Sequence, residues 1–565
     1  MLRLSTRARL ALTAGLAGAV IAPIAAQAGT VSTVGAATGV TVRAAGTGAV
    51  KVTWSATSTT GVSQWQVLVT EKSADGSTTH TMFAPAASRS FTETDLTAGS
   101  SVTAAVAAYT DSTSVNVSAS SAAVTVPSGL CAGVKGACVA ADATQTDGAE
   151  QHVAQGFLHG LGLSDQGVSE MQALNPRWWR ITEGSPSEMS AVKAFHPVTT
   201  AVLSDPWLEV TADAAGHAIS PWQYPNAYSN FIVNEVQKRV ADGNLPDYWD
   251  IQNEPNDYSY YNPLFPPTAA LLEQQFTIAY KAIKSVLPDA KILGPSFSIF
   301  KLNGDDNHLG LQDFIDYATA NNLQFAAISW HELNAGNSSN PAQQLPSLAD
   351  HVQEARAALD ASPVLTGAQI FVNEFDSAFV GRLVGWDLGH VIALEQADVD
   401  QANRACFEDC INGGDSLIDP LDGQTPRMTY WGRLAYAQMT GSRVDATSTQ
   451  RDTTAMTSVD NTAGTVTTII ARHHGCSTGG NLSCPLTFVR PSNSGSLTLV
   501  LHLPSAAAGQ HATVTMTPLA ATVLDAPKAP TSTQSSVSVA LDGTAKVSVP
   551  SLTDGSAYVV KVSWS

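Results

Sequence analysis

The sequence predicts an α/β protein, a (β/α)8 TIM barrel with one β-sandwich before it and another after it. Between residues 130 and 441, short apolar runs alternate with amphipathic segments in which apolar residues recur every three or four positions. On both sides of this stretch, apolar and polar residues alternate with a period of two, and turn residues separate the runs. Eight βα units in about 310 residues is the expected size of such a barrel. At 565 residues the chain is too long for one core, and roughly three or four domains are expected.

The first element is a predicted signal peptide over residues 1–28. Three arginines precede an apolar run, 10–24, and the small-residue site Ala26-Gln27-Ala28 follows it. This order of regions is typical of a secretory signal that is cleaved after Ala28. The alternative is a transmembrane anchor, but the run is short and Pro23 interrupts it. We therefore expect the mature protein to be secreted.

Residues 29–128 are predicted to form a small β-sandwich. They are rich in Thr, Ser, Val, Ala and Gly, and runs such as 50–54 and 65–69 alternate apolar and polar residues. The segment 91–109 resembles the end of a fibronectin type III domain, although Val102 stands where that family has the tyrosine of its corner motif. The resemblance implies a fibronectin type III-like module, and spacing or attachment is the role we expect for it.

The barrel is predicted over residues 129–441. Amphipathic helices, for example at 228–240 and 271–286, lie between its strands. The eight strands are predicted at 155–159, 178–182, 198–204, 248–252, 291–295, 326–330, 369–373 and 400–406.

The last element, residues 442–565, is predicted to be a second β-sandwich that packs on the barrel, because no long linker separates the two. Its predicted strands are 465–471, 497–503, 512–517, 537–541 and 558–564.

The formal net charge of −19 argues against nucleic acid and against an anionic membrane as partners, since both would repel an acidic surface. No stretch after the signal is apolar enough to insert into a bilayer. A neutral ligand such as a carbohydrate is compatible with this charge. We make no prediction of oligomeric state.

The six cysteines fall into three close pairs, and an even number in an exported chain favours disulfides. The pairs are Cys131 with Cys138, Cys406 with Cys410, and Cys476 with Cys484. His473 and His474 beside Cys476 are the one hint of metal ligation, and a metal site would need more ligands at suitable spacing. We predict no metal and no cofactor.

Two glutamates stand at the ends of predicted barrel strands, Glu254 after strand 4 and Glu374 after strand 7. Residues at this rim of a barrel belong to active sites, because the loops that hold a substrate converge there. Strands 4 and 7 lie nearly opposite each other in an eight-stranded barrel. Hydrolysis of a glycosidic bond with retention needs two carboxyl groups, one as acid and one as nucleophile, and the charge of the nucleophile raises the pKa of the acid. Asn253-Glu254-Pro255 has an alternative interpretation as a turn that caps a helix.

The sequence Trp249-Asp250-Ile251-Gln252-Asn253-Glu254-Pro255-Asn256, followed by a lone Glu after strand 7, resembles the clan A glycoside hydrolases. Within that clan it is most similar to family 39, which contains β-xylosidases and α-L-iduronidases and whose barrel is also followed by a β-sandwich. The resemblance covers roughly residues 150–440. It implies a retaining glycoside hydrolase in which Glu254 is the general acid/base and Glu374 the nucleophile. It also implies that Asn253 binds the sugar 2-hydroxyl.

The resemblance implies further site residues at other strand ends. Arg180 ends strand 2, where clan members carry an arginine that hydrogen-bonds the nucleophile. Arg177 is the other candidate for this arginine. The alternative for Arg180 is a surface position or an ion pair with Glu183. His331 and Trp330 end strand 6, where the clan has a histidine or an aromatic residue near the nucleophile. Two further candidates for lining the sugar pocket are His159 after strand 1 and Trp207 after strand 3.

Three features leave alternatives open. Asp376, two residues after Glu374, and Glu332, beside His331, are rival carboxylates, although Glu332 should point away from its neighbour. Strand 8 lacks the tryptophan that many clan members place at its end.

A carbohydrate-binding or adhesive protein on an inactive barrel is the second hypothesis for the function, and the presence of both glutamates argues against it. A metal-dependent hydrolase is the third, and clustered His and Asp ligands at the strand ends are missing from the sequence.

Overall fold

The structure is a computed structural model that describes residues 34–564 with internal gaps. The gaps are residues 47, 57, 59–61, 63, 74–75, 86–87, 94–95, 111–112, 159–164, 182–185, 205–206, 209–210, 212–217, 257–260, 262–263, 305–308, 334–346, 377–382, 406–415, 451 and 474–494. The predicted signal peptide and the cysteine pairs 406/410 and 476/484 therefore lie outside the described residues. Cys131 and Cys138 form the disulfide predicted for them.

The N-terminal region is a β-sandwich, as predicted. One sheet has the order β1-β2-β5, and the other has the order β4-β3-β6-β7 with β8 also paired to β6. Its core contains Trp54 and Trp65, which pack edge to face. The similarity to fibronectin type III stays a prediction. The strands are β1 (Ala37–Gly46), β2 (Ala49–Ala56), β3 (Gln64–Ser73), β4 (Gly76–Pro85), β5 (Ser90–Glu93), β6 (Ser101–Thr110), β7 (Thr113–Val115) and β8 (Val124–Thr125).

The central region is a closed barrel of eight parallel strands in sequential order, which confirms the predicted fold class. Each strand lies at its predicted place, with ends that differ by up to two residues. The barrel strands are β10 (Gly156–Leu158), β11 (Trp178–Ile181), β12 (Val198–Val202), β13 (Tyr248–Asp250), β14 (Lys291–Phe297), β15 (Ala327–Glu332), β16 (Gln369–Phe375) and β17 (Gln401–Arg404).

A helix follows each barrel strand and covers the outside of the barrel. Apolar side chains between strands and helices form the largest hydrophobic core of the molecule. The helices are α1 (Asp165–Ala173), α2 (Pro186–Lys193), α3 (Pro225–Ala241), α4 (Ala269–Val286), α5 (Leu311–Ala320), α6 (Ser347–Ala361), α7 (Val384–Gln396) and α8 (Met428–Ala437). Among the helices in the described part of the chain, none has the length and apolar character that crossing a membrane requires.

The C-terminal region is a second β-sandwich, as predicted, with sheets ordered β18-β20-β21-β26-β23-β24 and β19-β9-β22-β25. The predicted strand at 537–541 instead ends at Ser538, and Leu541 is exposed in the turn that follows. The strands are β9 (Ala137–Asp142), β18 (Ser442–Val444), β19 (Ala446–Ser448), β20 (Thr453–Asp460), β21 (Thr465–Arg472), β22 (Gly495–His502), β23 (His511–Leu519), β24 (Thr533–Ser538), β25 (Thr544–Leu552) and β26 (Ala557–Ser563).

The barrel was predicted to start at residue 129, but the first strand after that residue, β9, belongs to the C-terminal sandwich. It precedes the barrel in sequence, yet it pairs with β19 and β22 inside the C-terminal sandwich. The chain therefore starts the sandwich, makes the barrel, and then returns to complete the sandwich.

The two sandwiches contact the barrel differently. Met456, Ile469 and Leu519 of the C-terminal sandwich belong to the same apolar core as the barrel and its helices. Helix α7 approaches this sandwich so closely that a Cβ atom at Gly385 would lie 2.4 Å from the Ser556 carbonyl oxygen. The N-terminal sandwich contacts helix α6 partly through polar groups, as described below.

Candidate active site

The closed barrel brings the two predicted glutamates together. A carboxylate oxygen of Glu254, a carboxylate oxygen of Glu374 and a ring nitrogen of His331 lie within 4.8 Å of one another. The side chains of Glu254 and Glu374 keep 11% and 14% of their surface exposed, so both reach solvent at the C-terminal rim of the barrel. This is the arrangement expected of residues that share one substrate.

Local backbone geometry aims these side chains inward. Glu254 follows β13 in the left-handed region, with φ at 46°, and its N–H donates to the Ser296 carbonyl oxygen at 2.9 Å. A non-glycine residue in this region is uncommon and is held there by its surroundings, and such residues cluster at functional sites. Glu374 lies inside β16, where the pairing with β17 is irregular between Val372 and Phe375. Irregular pairing of this kind redirects side chains at the rims of barrels.

Arg180, at the end of β11, links three acidic and amide groups of the site. Its guanidinium donates to Glu374 Oε1 at 2.6 Å, to Asn253 Oδ1 at 2.9 Å and to Asp250 Oδ2 at 2.9 Å. The arginine is fully buried, whereas its competitor Arg177 is exposed.

His331 lies between the two glutamates. Its Nδ1 is 3.0 Å from Glu254 Oε1, and its Nε2 is 3.7 Å from Glu374 Oε1. The ring is completely buried, and its Nδ1 is within hydrogen-bond distance of Glu254. Glu332, the rival carboxylate beside it, points away, as predicted: it accepts a hydrogen bond from Trp330 Nε1 at 2.6 Å and contacts His351 at 2.7 Å.

A buried polar layer below the site was not predicted. Asp250 is fully buried, and its carboxylate accepts hydrogen bonds from Arg180, from Ser296 Oγ at 2.7 Å and from Asn373 Nδ2 at 3.0 Å. Ser296 also contacts Ser329, with the two hydroxyl oxygens 2.8 Å apart. Burial raises the pKa of Asp250, and the neighbouring arginine opposes this effect. The sequence signal that could have predicted this layer is a polar residue inside an otherwise apolar run, as with Asp250 after Trp249 and Asn373 after Val372.

The prediction that Trp330 and Trp207 line a sugar pocket is wrong. Trp330 has no exposed surface, and its ring packs against Phe300 in the layer between barrel and helices. Trp207 is 5% exposed, donates from Nε1 to the Ile219 carbonyl oxygen at 2.7 Å, and packs against Tyr228 of α3. Both aromatic rings therefore stabilise the fold. His159 and Glu183 lie outside the described residues.

The other rival carboxylate, Asp376, belongs to a separate cluster behind β16. It is buried, with its Oδ2 3.4 Å from Arg404 Nε. Arg404 occupies the end of β17, where the sequence lacks the expected tryptophan, and it donates to Asp387 of α7 at 2.8 Å. This cluster faces the helices, away from Glu254.

Glu254, His331 and Glu374 are also close enough together to supply three ligand atoms to a cation. The guanidinium of Arg180 contacts Glu374 Oε1 directly and places a fixed positive charge against that oxygen. A dication at the same point would be repelled.

Comparison with solved structures shows the same fold in several proteins. A protein called N2152 from Neocallimastix frontalis is 18% identical, with a TM-score of 0.59 over 76% of this chain and 100% of its own. A monomeric beta-xylosidase from Caulobacter crescentus is 10% identical, with a TM-score of 0.54 over 75% of this chain and 99% of its own. A glucosidase from Croceicoccus marinus is 13% identical, with a TM-score of 0.52 over 76% and 99% of the two chains.

At these identities the likeness concerns the fold alone. No protein-family model matches the sequence, and no curated protein matches it either.

Proposed function

We propose that this protein is a secreted, retaining glycoside hydrolase that cleaves poly- or oligosaccharides by double displacement. The observation that carries the proposal is the approach of Glu254 and Glu374 to within 4.8 Å at one barrel rim. Retaining enzymes hold their carboxyl groups roughly 5–5.5 Å apart, whereas inverting enzymes need roughly 6.5–9.5 Å to admit a water molecule between them. One oxygen of Glu254 and one oxygen of Glu374 lie within 4.8 Å of each other, and this closeness favours the retaining arrangement over the wider inverting one.

In the first step, a carboxylate oxygen of Glu374 bonds to the anomeric carbon while the bond from that carbon to the leaving oxygen breaks. Glu254 donates its proton to the leaving oxygen. The Arg180 guanidinium donates to Glu374 Oε1 at 2.6 Å and orients this carboxylate for the attack.

In the second step, Glu254 takes a proton from a water molecule, and the water oxygen attacks the anomeric carbon. The bond between sugar and Glu374 then breaks, and the carboxylate is restored. Glu254 thus serves first as acid and then as base. His331 Nδ1 lies 3.0 Å from Glu254 Oε1 and positions that carboxyl group for the two steps.

A carbohydrate substrate is consistent with other features of the chain. Two proteins with the same fold are described as a beta-xylosidase and a glucosidase. The net charge of −19 leaves neutral sugars as suitable ligands. The N-terminal arginines, apolar run and small-residue site support export, which would bring the enzyme to polysaccharides outside the cell.

The test is hydrolysis of nitrophenyl xyloside, arabinoside, galactoside, glucoside and glucuronide by the purified protein and two variants. Glu374→Ala and Glu254→Ala should each lower kcat by several orders of magnitude on the substrate that wild type cleaves. Added azide should restore turnover in Glu254→Ala by attacking the glycosyl-enzyme. Full activity in either variant would reject the catalytic roles of the two glutamates.

Glu332→Gln is the matched control, because this neighbouring buried glutamate faces the helices. It should retain activity within about tenfold of wild type. Activity that persists in a chelator would exclude a metal-dependent hydrolase. Sugar binding without turnover of any glycoside would favour the inactive binding protein instead.

A further inference from the structure

Asp250 shares the arginine that contacts the proposed nucleophile. The Arg180 Nε donates to Asp250 Oδ2 at 2.9 Å, and another nitrogen of the same guanidinium donates to Glu374 Oε1 at 2.6 Å. Both the arginine and Asp250 are fully buried. One buried positive charge therefore lies between a buried carboxylate, Asp250, and the partly exposed carboxylate of Glu374.

The surroundings hold Asp250 in this position. Ser296 Oγ donates to Asp250 Oδ1 at 2.7 Å. Asn373 Nδ2 donates at 3.0 Å to Oδ2, the oxygen that also accepts from Arg180, so both carboxylate oxygens are hydrogen-bonded. Among the described residues, the charged or titratable groups that face Glu374 from the surrounding strands are Arg180, His331 and Glu254, with Asp250 behind the arginine.

We propose that Asp250 is a positioning residue that shares the charge of Arg180 and so keeps Glu374 reactive as a nucleophile. The inference rests on the proposed function. A guanidinium paired with Glu374 alone would stabilise its anion more strongly and make it a poorer nucleophile. A second carboxylate on the same guanidinium weakens that stabilisation, because like charges disfavour each other's ionised form. Asp250 also fixes the guanidinium plane that contacts Asn253 and Glu374.

Neutral variants separate this role from a merely structural one. In Asp250→Asn, the titration midpoint of the Glu374 carboxyl should move to lower pH by about one unit, because a nearby negative charge is lost. The acid limb of the pH–rate profile should move in the same direction, and kcat should fall by about tenfold or more. A structural defect alone would lower kcat without moving the titration to lower pH.

The experiment follows the Glu374 carboxyl by carbon-13 NMR in protein labelled at glutamate, with the resonance assigned by its loss in Glu374→Gln. Wild type, Asp250→Asn, Asp250→Ser and Ser296→Ala are titrated in parallel. Ser296→Ala removes a hydrogen bond to Asp250 without changing charge, so its midpoint should stay near that of wild type. Asp250→Ser provides a second neutral variant if Asp250→Asn does not fold.

A midpoint in the folded neutral variant that equals or exceeds that of wild type would overturn the proposal. The same downward shift in Ser296→Ala would also overturn it, since geometry and not charge would then be responsible. The NMR titration does not depend on turnover. If wild type cleaves no glycoside, the proposed function fails while the titration still decides whether Asp250 tunes Glu374.

Discussion

Two clusters of buried carboxylates and arginines lie on opposite sides of strand β16, and they differ in how completely the charges are paired. On the inner side, Arg180 contacts Glu374 and Asp250, and Glu374 keeps 14% of its side chain exposed. On the outer side, Arg404 and Arg433 both donate to Asp387 at 2.8 Å, and all three side chains are buried. The outer cluster is closed to solvent, whereas the inner one opens at the rim.

The difference separates a reactive carboxylate from a structural one. Burial would raise the pKa of Asp387, but the two arginines hold it at about 2. The adjacent Asp376 shows the opposite effect, because burial and the nearby Asp387 raise its pKa. A carboxylate enclosed by two cations has no free face for a substrate, so the outer cluster fits a structural role, and the proposed catalysis is placed at the inner cluster.

The largest contrast in stability is expected between Asp387→Ala and Glu374→Ala. Removing Asp387 leaves two buried guanidinium groups short of a partner, and this should lower the free energy of unfolding by about 3–5 kcal/mol. Removing Glu374 leaves Arg180 paired with Asp250, so the loss should be no more than about 1 kcal/mol. Differential scanning calorimetry of both variants at neutral pH measures the contrast. Equal melting temperatures would break the distinction between the clusters.

A third buried carboxyl, Glu354 on helix α6, has no arginine or lysine partner among the described residues. It accepts a hydrogen bond from the Phe83 N–H of the N-terminal sandwich, and burial raises its pKa to about 8. Between about pH 4.5 and 8 the unfolded chain loses the proton that the folded protein keeps, so this glutamate lowers stability as pH rises. Glu354→Gln should therefore melt at a higher temperature than wild type at pH 8 and close to wild type at pH 5.

The matched control for Glu354→Gln is Glu332→Gln on the same thermal-shift assay, because Glu332 already pairs with His351. It should show no such gain at pH 8. A Glu354→Gln protein with the melting temperature of wild type at both pH values would contradict this prediction. It would show that the contact between Glu354 and the N-terminal sandwich tolerates an ionised carboxylate.

The smallest effect is expected for an ion pair that resembles the outer cluster in chemistry but not in burial. Arg427 Nε lies 3.4 Å from Asp525 Oδ1, and the aspartate side chain is 47% exposed. Water and salt screen such pairs, so Asp525→Ala should change stability by less than about 1 kcal/mol. Urea unfolding at low and high salt measures this. A loss as large as that of Asp387→Ala would show that burial does not decide the worth of these pairs.

The sequence was sufficient to predict the barrel and the residues at its strand ends. Apolar runs located all eight strands, and parallel strands bring their carboxyl ends to one rim, which placed Glu254 and Glu374 together. Arg180 and His331 were predicted from the resemblance to clan A glycoside hydrolases, which implied site residues at the ends of strands 2 and 6. The position of each residue at a strand end depends mainly on local pattern, and local pattern is readable in a sequence.

Trp330 was assigned to the site together with His331, although neighbouring residues of a strand face opposite sides. The tryptophan is fully buried and packs against Phe300 instead. Two other errors have physical causes that local pattern does not contain. Strand β9 pairs with β22, which is far away in the sequence, so the residues around β9 do not indicate that it belongs to the C-terminal sandwich. The Asp250 layer depends on side chains from different strands that meet only in the closed barrel.

The central claim is that Glu374 attacks the sugar while Glu254 assists the leaving group. The most direct measurement is peptide mapping by mass spectrometry after incubation with activated 2-deoxy-2-fluoro glycosides of the sugar that wild type cleaves. A covalent glycosyl group on Glu374, absent from Glu374→Gln, is the expected result. A label on another carboxylate, such as Asp376 or Glu332, would contradict the claim.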